Sequence, residues 1–223
     1  MALDKPAGWM LVPHSWQRTE RNLQAALVSS IGAGHFWARS RQLRFLRYVH
    51  RLDAETSGVL LFAKSPGAVE SYGALFESRR MEKEYLVVVQ GMVKQREWTC
   101  TARIGRDPKQ IGRMRVDARG GKDAETRFEV RESSGGNTLL AAYPFTGRTH
   151  QIRVHMAHGG HPVLGDPLYG PGALKPSASM EENALALRAV RLSYLDPFTR
   201  RKVEIRAPVD EFLSKFRAGK LGS

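Results

Sequence analysis

The residues best suited to chemistry lie in segment 50–58, which reads HRLDAETSG. It places an arginine, two carboxylates and two hydroxyls directly before the apolar run 59–63, which predicts a short buried strand. Charged side chains avoid the interior unless they are paired, so packing alone explains this crowding poorly. A charged loop that leads into a core strand can hold reactive groups rigidly. The carboxylate of Asp53 could therefore act as a nucleophile or a base, with Arg51 beside it.

Asp53 also has an ordinary structural interpretation. Aspartate is common in turns, where its carboxylate accepts backbone N–H groups a few residues further on, here near Thr56. The residue types alone leave both interpretations open.

Tyr85 is a second candidate, at the start of an apolar, β-branched segment, 86–89, that predicts a strand. A tyrosine in this position is ordinarily half-buried against the core. It also belongs to a K-x-Y-x-x-x-x-x-G pattern that is formed with Lys83 and Gly91.

A third block extends over 146–170 and reads TGRTHQIRVHMAHGGHPVLGDPLYG. It predicts a helix that is capped by Thr146 or Thr149 and ends at Gly159, with Arg148, Ile152 and His155 on one face. Its histidines suggest a metal site, but no pair has the HExxH spacing and no acidic ligand lies within the helix. We therefore expect no metal.

The chain opens with DKPAG at positions 4–8, a turn signal, and residues 9–12 then predict a short strand. This opening and the three blocks resemble, in order, the RluA-type pseudouridine synthases. HRLDAETSGVLLFAKS is similar to the signature of that family, HRLD-x-x-TSG, and the K-x-Y and TGRTHQIRVH blocks match its later motifs. Segment 185–192 resembles the last core segment of the family, so the resemblance extends from Leu3 to about Pro208.

The resemblance implies isomerisation of uridine to pseudouridine in RNA, without a cofactor. Asp53 would be the catalytic aspartate, Arg148 would pair with it, and Tyr85 would stack on the uracil and could remove the C5 proton. Arg51 would fill the space that the flipped nucleotide leaves. Further substrate-binding candidates are His50, Thr56, Ile152 and Leu187, the last two as apolar walls of the pocket.

The charge distribution agrees with an RNA partner. The formal net charge is +13, and nine basic residues face three acids between Lys94 and Lys122. There Arg113, Arg115 and Arg119 could follow a phosphate backbone. The family acts on ribosomal and transfer RNA, and the sequence leaves open which stem-loop is the substrate.

The segment 35–48 interleaves arginines with Phe36, Trp37, Phe45 and Tyr48. Such a segment could bind RNA through phosphate contacts and stacking. Alternatively, it is amphipathic and its aromatic rings belong to the core. The residues do not decide between these two interpretations.

We expect one catalytic domain over 1–223, since that length suits a single large domain or a domain of two lobes. The small N-terminal S4-type domain of most relatives is not seen. The expected fold class is α+β, with a central, mostly antiparallel mixed sheet, flanking helices and a basic cleft between two lobes. One cysteine, no signal peptide and no membrane-spanning run indicate a cytoplasmic protein, expected to be monomeric.

Two other functions fit part of the pattern. An RNA-binding or RNA-chaperone module on the same scaffold would use the arginines but would not need Asp53, Tyr85 and Arg148 together. A hydrolase could use Asp53 and Glu55 as a carboxylate pair on a glycosidic bond, and it would release free uracil.

Overall fold

The computed structural model describes residues 1–11, 21–170 and 184–221. Its strands are β1 (Ala2–Lys5), β2 (Arg47–Tyr48), β3 (Ser57–Ala63), β4 (Glu82–Gln90), β5 (Glu97–Cys100), β6 (Ile104–Arg106), β7 (Met114–Val116), β8 (Thr126–Ser134), β9 (Asn137–Pro144), β10 (Leu187–Leu195) and β11 (Lys202–Arg206). Its helices are α1 (Leu23–Gly32), α2 (Phe36–Arg39), α3 (Pro66–Glu77), α4 (Gln151–His158) and α5 (Asp210–Arg217).

This architecture confirms the expected α+β class, with extensive, mostly antiparallel pairing and short helices. The described chain forms two compact units. The first consists of Met1–Met81 and Leu192–Ala207, and the second of Glu82–Arg191 and Pro208–Ser223. Over the described ranges, no helix has the length and apolar character needed to cross a bilayer. The basic cleft stays a prediction.

In the first unit, β3 is the central strand. It pairs antiparallel with β1, Leu3 opposite Leu60, and also with β2. Every residue of β3 after Ser57 is buried, as its apolar sequence predicts. Leu75 of α3 packs against this strand in an apolar cluster. The loop that carries Asp53 therefore leads directly into the most buried strand of its unit.

The strand predicted over residues 9–12 is wrong for its described part, 9–11. The regular strand, β1, precedes the Pro–Gly turn, whereas Met10 makes only an isolated bridge with Asn22. Pairing with β3, rather than a pattern in its own four residues, makes β1 a strand.

In the second unit, the strand order is β4-β9-β8-β5. The strands β8 and β9 form a hairpin through Gly135 and Gly136, whose positive φ values of 57° and 77° suit a tight turn. The core between this sheet and its helices includes Val88, Leu140 and, from α4, Met156. The predicted strand of residues 86–89 is confirmed and is fully buried within β4.

A buried ion pair links α4 to the loop that follows it. Arg153 is 0% exposed, and its Nε and Nη2 atoms donate to the two carboxylate oxygens of Asp166, each at 2.8 Å. Asp166 Oδ1 also accepts the backbone N–H groups of Leu168 and Tyr169. These hydrogen bonds compensate the carboxylate for its loss of water on burial. The ion pair therefore fixes the loop to α4 without leaving an unpaired charge in the core.

Replacement of Asp166 by alanine should lower the free energy of unfolding by roughly 3–5 kcal/mol, because it removes the carboxylate partner of a buried guanidinium. Urea denaturation measures this change. The control is Glu132→Ala, which removes the partner of the exposed Arg217 and should have little effect. Equal losses in the two variants would contradict this account of the buried pair.

Candidate active site

Asp53 lies in the turn between β2 and β3. The turn is closed by the Thr56 N–H, which donates to the Asp53 carbonyl oxygen at 3.2 Å. Leu52 and Thr56 are buried on either side, at 7% and 2% exposure, while Asp53 itself is half-buried. Two buried neighbours therefore anchor the turn and leave the carboxylate near the surface of its unit.

Lys5, at the end of β1, anchors this turn through hydrogen bonds to backbone carbonyl groups. It is 0% exposed, and its Nζ donates to the carbonyl oxygens of Pro6, Trp9 and Ala54 at 2.9, 2.9 and 2.8 Å. Burial lowers the pKa of Lys5 to about 8, although the nearby Glu55 and Asp53 carboxylates act in the opposite direction. The ammonium thus clamps the Pro–Gly turn to the residue that follows Asp53.

The neighbours of Asp53 that the sequence singled out differ in their surroundings. His50 Nε2 accepts the Leu61 N–H at 3.2 Å, and its ring stacks on Phe76 with centroids 4.6 Å apart. Thr56 is buried, as described above, whereas Arg51 is exposed. His50 and Thr56 therefore help to hold the loop, and their contact with RNA stays a prediction.

Tyr85 lies near the start of β4, opposite Ala142 of β9. It is half-buried and packs against the apolar cluster that contains Ile152 and Leu187. These three predicted site residues therefore belong to one cluster of the second unit. Residues 82–85 of β4 are exposed or half-buried and residues 86–89 are buried, so the tyrosine is directly before the buried part of the strand.

Arg148 precedes α4 instead of lying on it, so the prediction that it shares a helix face with Ile152 and His155 is wrong. The helix begins at Gln151, after His150 adopts a left-handed conformation with φ 55° and ψ 22°. The predicted end at Gly159 is confirmed. Arg148 is half-buried, and its Nε donates to the Asp123 carbonyl oxygen at 2.8 Å.

Gln151, rather than a threonine, organises the start of this helix. Its Oε1 accepts the Arg148 backbone N–H at 2.9 Å and the Thr146 hydroxyl at 2.7 Å. Its Nε2 donates to the Glu125 carbonyl oxygen at 3.0 Å and to Thr126 Oγ1 at 2.9 Å. One buried amide therefore ties the Arg148 turn to the start of β8, so the Thr146 and Thr149 cap prediction is also wrong.

Lys83 secures the same turn from β4. Its Nζ donates to the Thr146 carbonyl oxygen at 2.9 Å, and burial lowers the pKa of Lys83 to about 8. Lys83 and Tyr85 are two residues apart on one strand, so their side chains are on the same face. In the K-x-Y pattern, Lys83 therefore holds the Arg148 turn, and Tyr85, on the same face of the strand, is the candidate for stacking on the base.

Three of the histidines in the third block take part in hydrogen bonds. His155 Nδ1 bonds with Thr126 Oγ1 at 3.1 Å and its Nε2 with the Ala102 carbonyl at 3.0 Å, while burial lowers the pKa of His155. His150 Nδ1 bonds with the Tyr169 hydroxyl at 2.9 Å, and His161 Nδ1 with the Gln90 carbonyl at 2.9 Å. Each of these rings has a partner that explains its position within the fold.

The predicted site residues thus fall into two sets. His50, Arg51, Asp53 and Thr56 share one loop region of the first unit. The second unit holds Tyr85, Arg148, Ile152 and Leu187. That the two sets meet around one substrate stays a prediction of the sequence.

Sequence reasoning missed the residues that hold the loops, namely Lys5, Lys83 and Gln151. A signal was present for the lysines, since each is a charged residue within a strand, β1 or β4, that leads into the core. Lys5 bonds the nearby Pro6 and Trp9 carbonyls, but its bond to Ala54 and the bond of Lys83 to Thr146 join residues 49 and 63 positions apart. No local pattern indicates which carbonyls those would be.

Comparison with known proteins identifies similar sequences. Residues 1–158 match the family model described as RNA pseudouridylate synthase. The chain is 38% identical over 178 residues to the ribosomal large subunit pseudouridine synthase C of Vibrio vulnificus (strain CMCP6). It is 39% identical over 178 residues to the protein of that name from Escherichia coli (strain K12). These matches cover 78% of this chain and 55% and 56% of the two relatives, so the chain spans just over half their length.

Solved structures agree on the fold. The human RNA pseudouridylate synthase domain containing 1 aligns with a TM-score of 0.71 and 27% identity, covering 93% of this chain and 78% of that one. The human RNA pseudouridylate synthase domain containing 4 aligns with a TM-score of 0.74 at 21% identity, covering 97% and 88%. At 21% identity, the second match supports the fold and nothing further.

The depressed pKa of Lys83 predicts a specific pH dependence of stability. Between pH 8 and about 10.4, the usual lysine pKa, the unfolded chain keeps the Lys83 proton and the folded chain loses it. The free energy of unfolding of the wild type, relative to Lys83→Met, should therefore rise over this interval and stay level below pH 7. Urea denaturation of both proteins at a series of pH values measures the difference.

Lys5 is present in both proteins, so its own contribution cancels in this comparison. A difference that stays flat or falls between pH 8 and pH 10 would contradict the burial of the Lys83 ammonium.

Proposed function

The chain belongs to the RNA pseudouridylate synthase family, and on this premise we propose that it isomerises uridine in RNA to pseudouridine, with Asp53 as the catalytic carboxylate. The observation that carries the proposal is the placement of Asp53. It lies on a turn that buried Lys5 clamps and that leads into the most buried strand of its unit. A carboxylate held in this way can act repeatedly in one geometry.

The proposed reaction can be described as two bond changes and two proton movements. The bond between N1 of uracil and C1′ of the ribose breaks, the base turns, and a bond forms between C5 and C1′. The C5 hydrogen leaves as a proton and N1 gains one, so the change is redox-neutral. A carboxylate can act covalently on the ribose or the base, or it can assist deprotonation, and it is then released.

We propose roles for Arg148, Tyr85 and Arg51 that agree with their positions in the structure. The guanidinium of Arg148 carries the fork of donors that matches a carboxylate, and its Nε donates to the Asp123 carbonyl oxygen. Tyr85, at the edge of the apolar cluster with Ile152 and Leu187, offers a ring for the uracil and a phenol for the C5 proton. The target nucleotide must leave its helix stack to reach such a site, and the exposed Arg51 would take its place.

For the substrate we propose RNA of the large ribosomal subunit. The curated relatives at 38% and 39% identity bear the name ribosomal large subunit pseudouridine synthase C. Such a substrate fits the cytoplasmic, monomeric protein that the sequence predicts. Pseudouridine mapping over total RNA, from cells with and without the protein, identifies the substrate. Sites lost only from transfer RNA would exclude the ribosomal assignment.

Asp53→Asn should abolish turnover while RNA binding persists, because the amide keeps the size of the side chain but is not a nucleophile. We expect a fall on the order of a thousandfold or more in tritium release from RNA labelled at C5 of uridine. The matched control is Glu55→Gln, two residues further on, which should remain active. Retained turnover in Asp53→Asn would remove Asp53 from the mechanism.

The same pair of variants separates the alternatives. A hydrolase that used both carboxylates would lose activity in both variants and would release free uracil. A pure RNA-binding module would form no pseudouridine in the wild type.

Arg148→Ala should lower the single-turnover rate by roughly a hundredfold, since the carboxylate would lose the group that orients it. Arg148→Lys keeps the charge but not the planar fork, so it should recover only part of the rate. Rates measured at saturating RNA separate this effect from binding. Full activity in Arg148→Ala would contradict the proposed pairing with Asp53.

A further inference from the structure

The arginines of this chain differ in whether their charges are neutralised by neighbours. Those of the second unit are largely paired, including the phosphate-tracking candidates Arg113 and Arg115, whose nearest carboxylates are 3.6 and 3.8 Å away. Other ion pairs of this unit involve Arg103, Arg127, Arg131, Arg153, Arg191 and Arg217. The positive charge there is therefore partly cancelled.

The first unit has several exposed arginines that form no ion pair with a described residue, and segment 36–47 holds four of them close together in sequence. Its four arginines are all exposed, and among the residues that the structure describes none of them forms an ion pair: Arg39, Arg41, Arg44 and Arg47. Within the described ranges, the one side-chain hydrogen bond that these four arginines make runs from Arg41 Nη1 to the Trp37 carbonyl oxygen, at 3.1 Å. Exposed positive charges that form no ion pair attract a polyanion more strongly than paired ones do.

An exposed aromatic ring lies in the same segment. Phe36 begins α2 and is 84% exposed, whereas Ala38, Leu43 and Leu46 of the same stretch are buried at 1%, 7% and 3%. The neighbouring Trp37 turns inward, and its Nε1 donates to Ser30 Oγ at 2.7 Å. The buried residues of this stretch are thus aliphatic, Trp37, Phe45 and Tyr48 are half-buried, and the Phe36 ring is largely exposed.

The segment is fixed to its unit and leads to the Asp53 turn. Gln24 of α1 donates through Nε2 to the Leu46 carbonyl oxygen at 2.8 Å and accepts the Tyr48 N–H at 3.3 Å. Arg47 then pairs with Ala63 in β2 and β3, the strands on either side of Asp53. Arg47 and Asp53 are six positions apart in sequence, a span of at most about 22 Å, so a few nucleotides could reach both.

We propose that Phe36, Arg39, Arg41, Arg44 and Arg47 form a docking surface for a single-stranded part of the substrate RNA, here called the Phe36–arginine surface. A base stacks on the Phe36 ring, and the arginines contact successive phosphates. The proposal rests on the proposed function for the identity of the RNA as substrate. It assigns to this segment a binding role that the catalytic residues do not supply.

The combination of groups specifies the partner. Guanidinium groups bind phosphates in a bidentate manner, and an aromatic face accepts any base, so the surface suits RNA without a fixed sequence. It lacks the acids that an interface with a basic protein would need. It is also too open and too charged to accept an apolar segment.

The first test is charge reversal on the full chain. The variant Arg41→Glu/Arg44→Glu is compared with Lys202→Glu/Arg206→Glu, an equal change of net charge on two exposed residues of β11. The probe is a single-stranded oligouridylate of about 15 nucleotides, within the range that one binding domain covers. Fluorescence anisotropy gives Kd at several salt concentrations.

The Arg41/Arg44 variant should raise Kd at least roughly tenfold and should make the plot of log K against log salt shallower, by about 0.7 for each lost phosphate contact. The β11 variant should keep the wild-type Kd and slope. Equal weakening by the two variants would show that only overall charge matters and would overturn the proposal.

The second test concerns the ring. Phe36→Leu keeps an apolar side chain but removes the stacking face, so Kd should rise by roughly fivefold or more, whereas Phe36→Trp should bind at least as tightly as the wild type. Both changes are at an exposed position, so thermal unfolding should coincide with that of the wild type. Wild-type affinity in Phe36→Leu would overturn the stacking role and would indicate a different occupant, such as another protein.

These binding measurements do not depend on turnover. If the variants lose RNA affinity while the wild type forms no pseudouridine, the surface assignment stands and the proposed function fails. If pseudouridine forms and all variants bind like the wild type, the function stands and the surface assignment fails.

Discussion

Two lysines that donate to backbone carbonyl groups hold the loops on which this account depends. Lys5 binds the carbonyl of Ala54, next to Asp53, and Lys83 binds that of Thr146, two residues before Arg148. In both cases burial lowers the lysine pKa to about 8. Each compact unit therefore uses the same device to fix a turn that carries a candidate catalytic group. An ammonium has three N–H donors and no acceptor, so one lysine can bond several backbone carbonyls and fix a turn through them.

Charge has different uses in different parts of the molecule. Where a charged pair serves structure alone, as in Arg153 with Asp166, both partners are buried and their hydrogen bonds are satisfied internally. Where RNA is the proposed partner, the arginines are exposed and form no ion pair with any residue that the structure describes. The net charge of +13 does not show where the positive charge is neutralised. Much of the positive charge in the second unit is paired with carboxylates.

The sequence predicted those parts of the fold whose cause is local. The apolar run after Gly58 forms β3, the β-branched run after Tyr85 forms the buried part of β4, and Gly159 ends α4. It also placed Asp53 directly before a core strand. These features follow from apolar patterning and from turn residues, which act over a few residues.

The errors arose where distant contacts decide. Arg148 was expected on a helix, but the left-handed backbone of His150 and the buried amide of Gln151 delay the start of α4. β1 is a strand because β3 pairs with it. The sequence left open whether the rings of segment 35–48 are buried; the structure has Trp37 half-buried and bonded to Ser30, and Phe36 exposed.

The most direct measurement is a crystal structure of the full chain bound to a substrate RNA that carries 5-fluorouridine at the target position, where C5 has no hydrogen to lose. The account predicts that the Asp53 carboxylate and the Arg148 guanidinium lie within about 3 Å of each other beside one flipped nucleotide, with the Tyr85 ring against its base. Side chains of these three residues found around different nucleotides, or far from any, would contradict it.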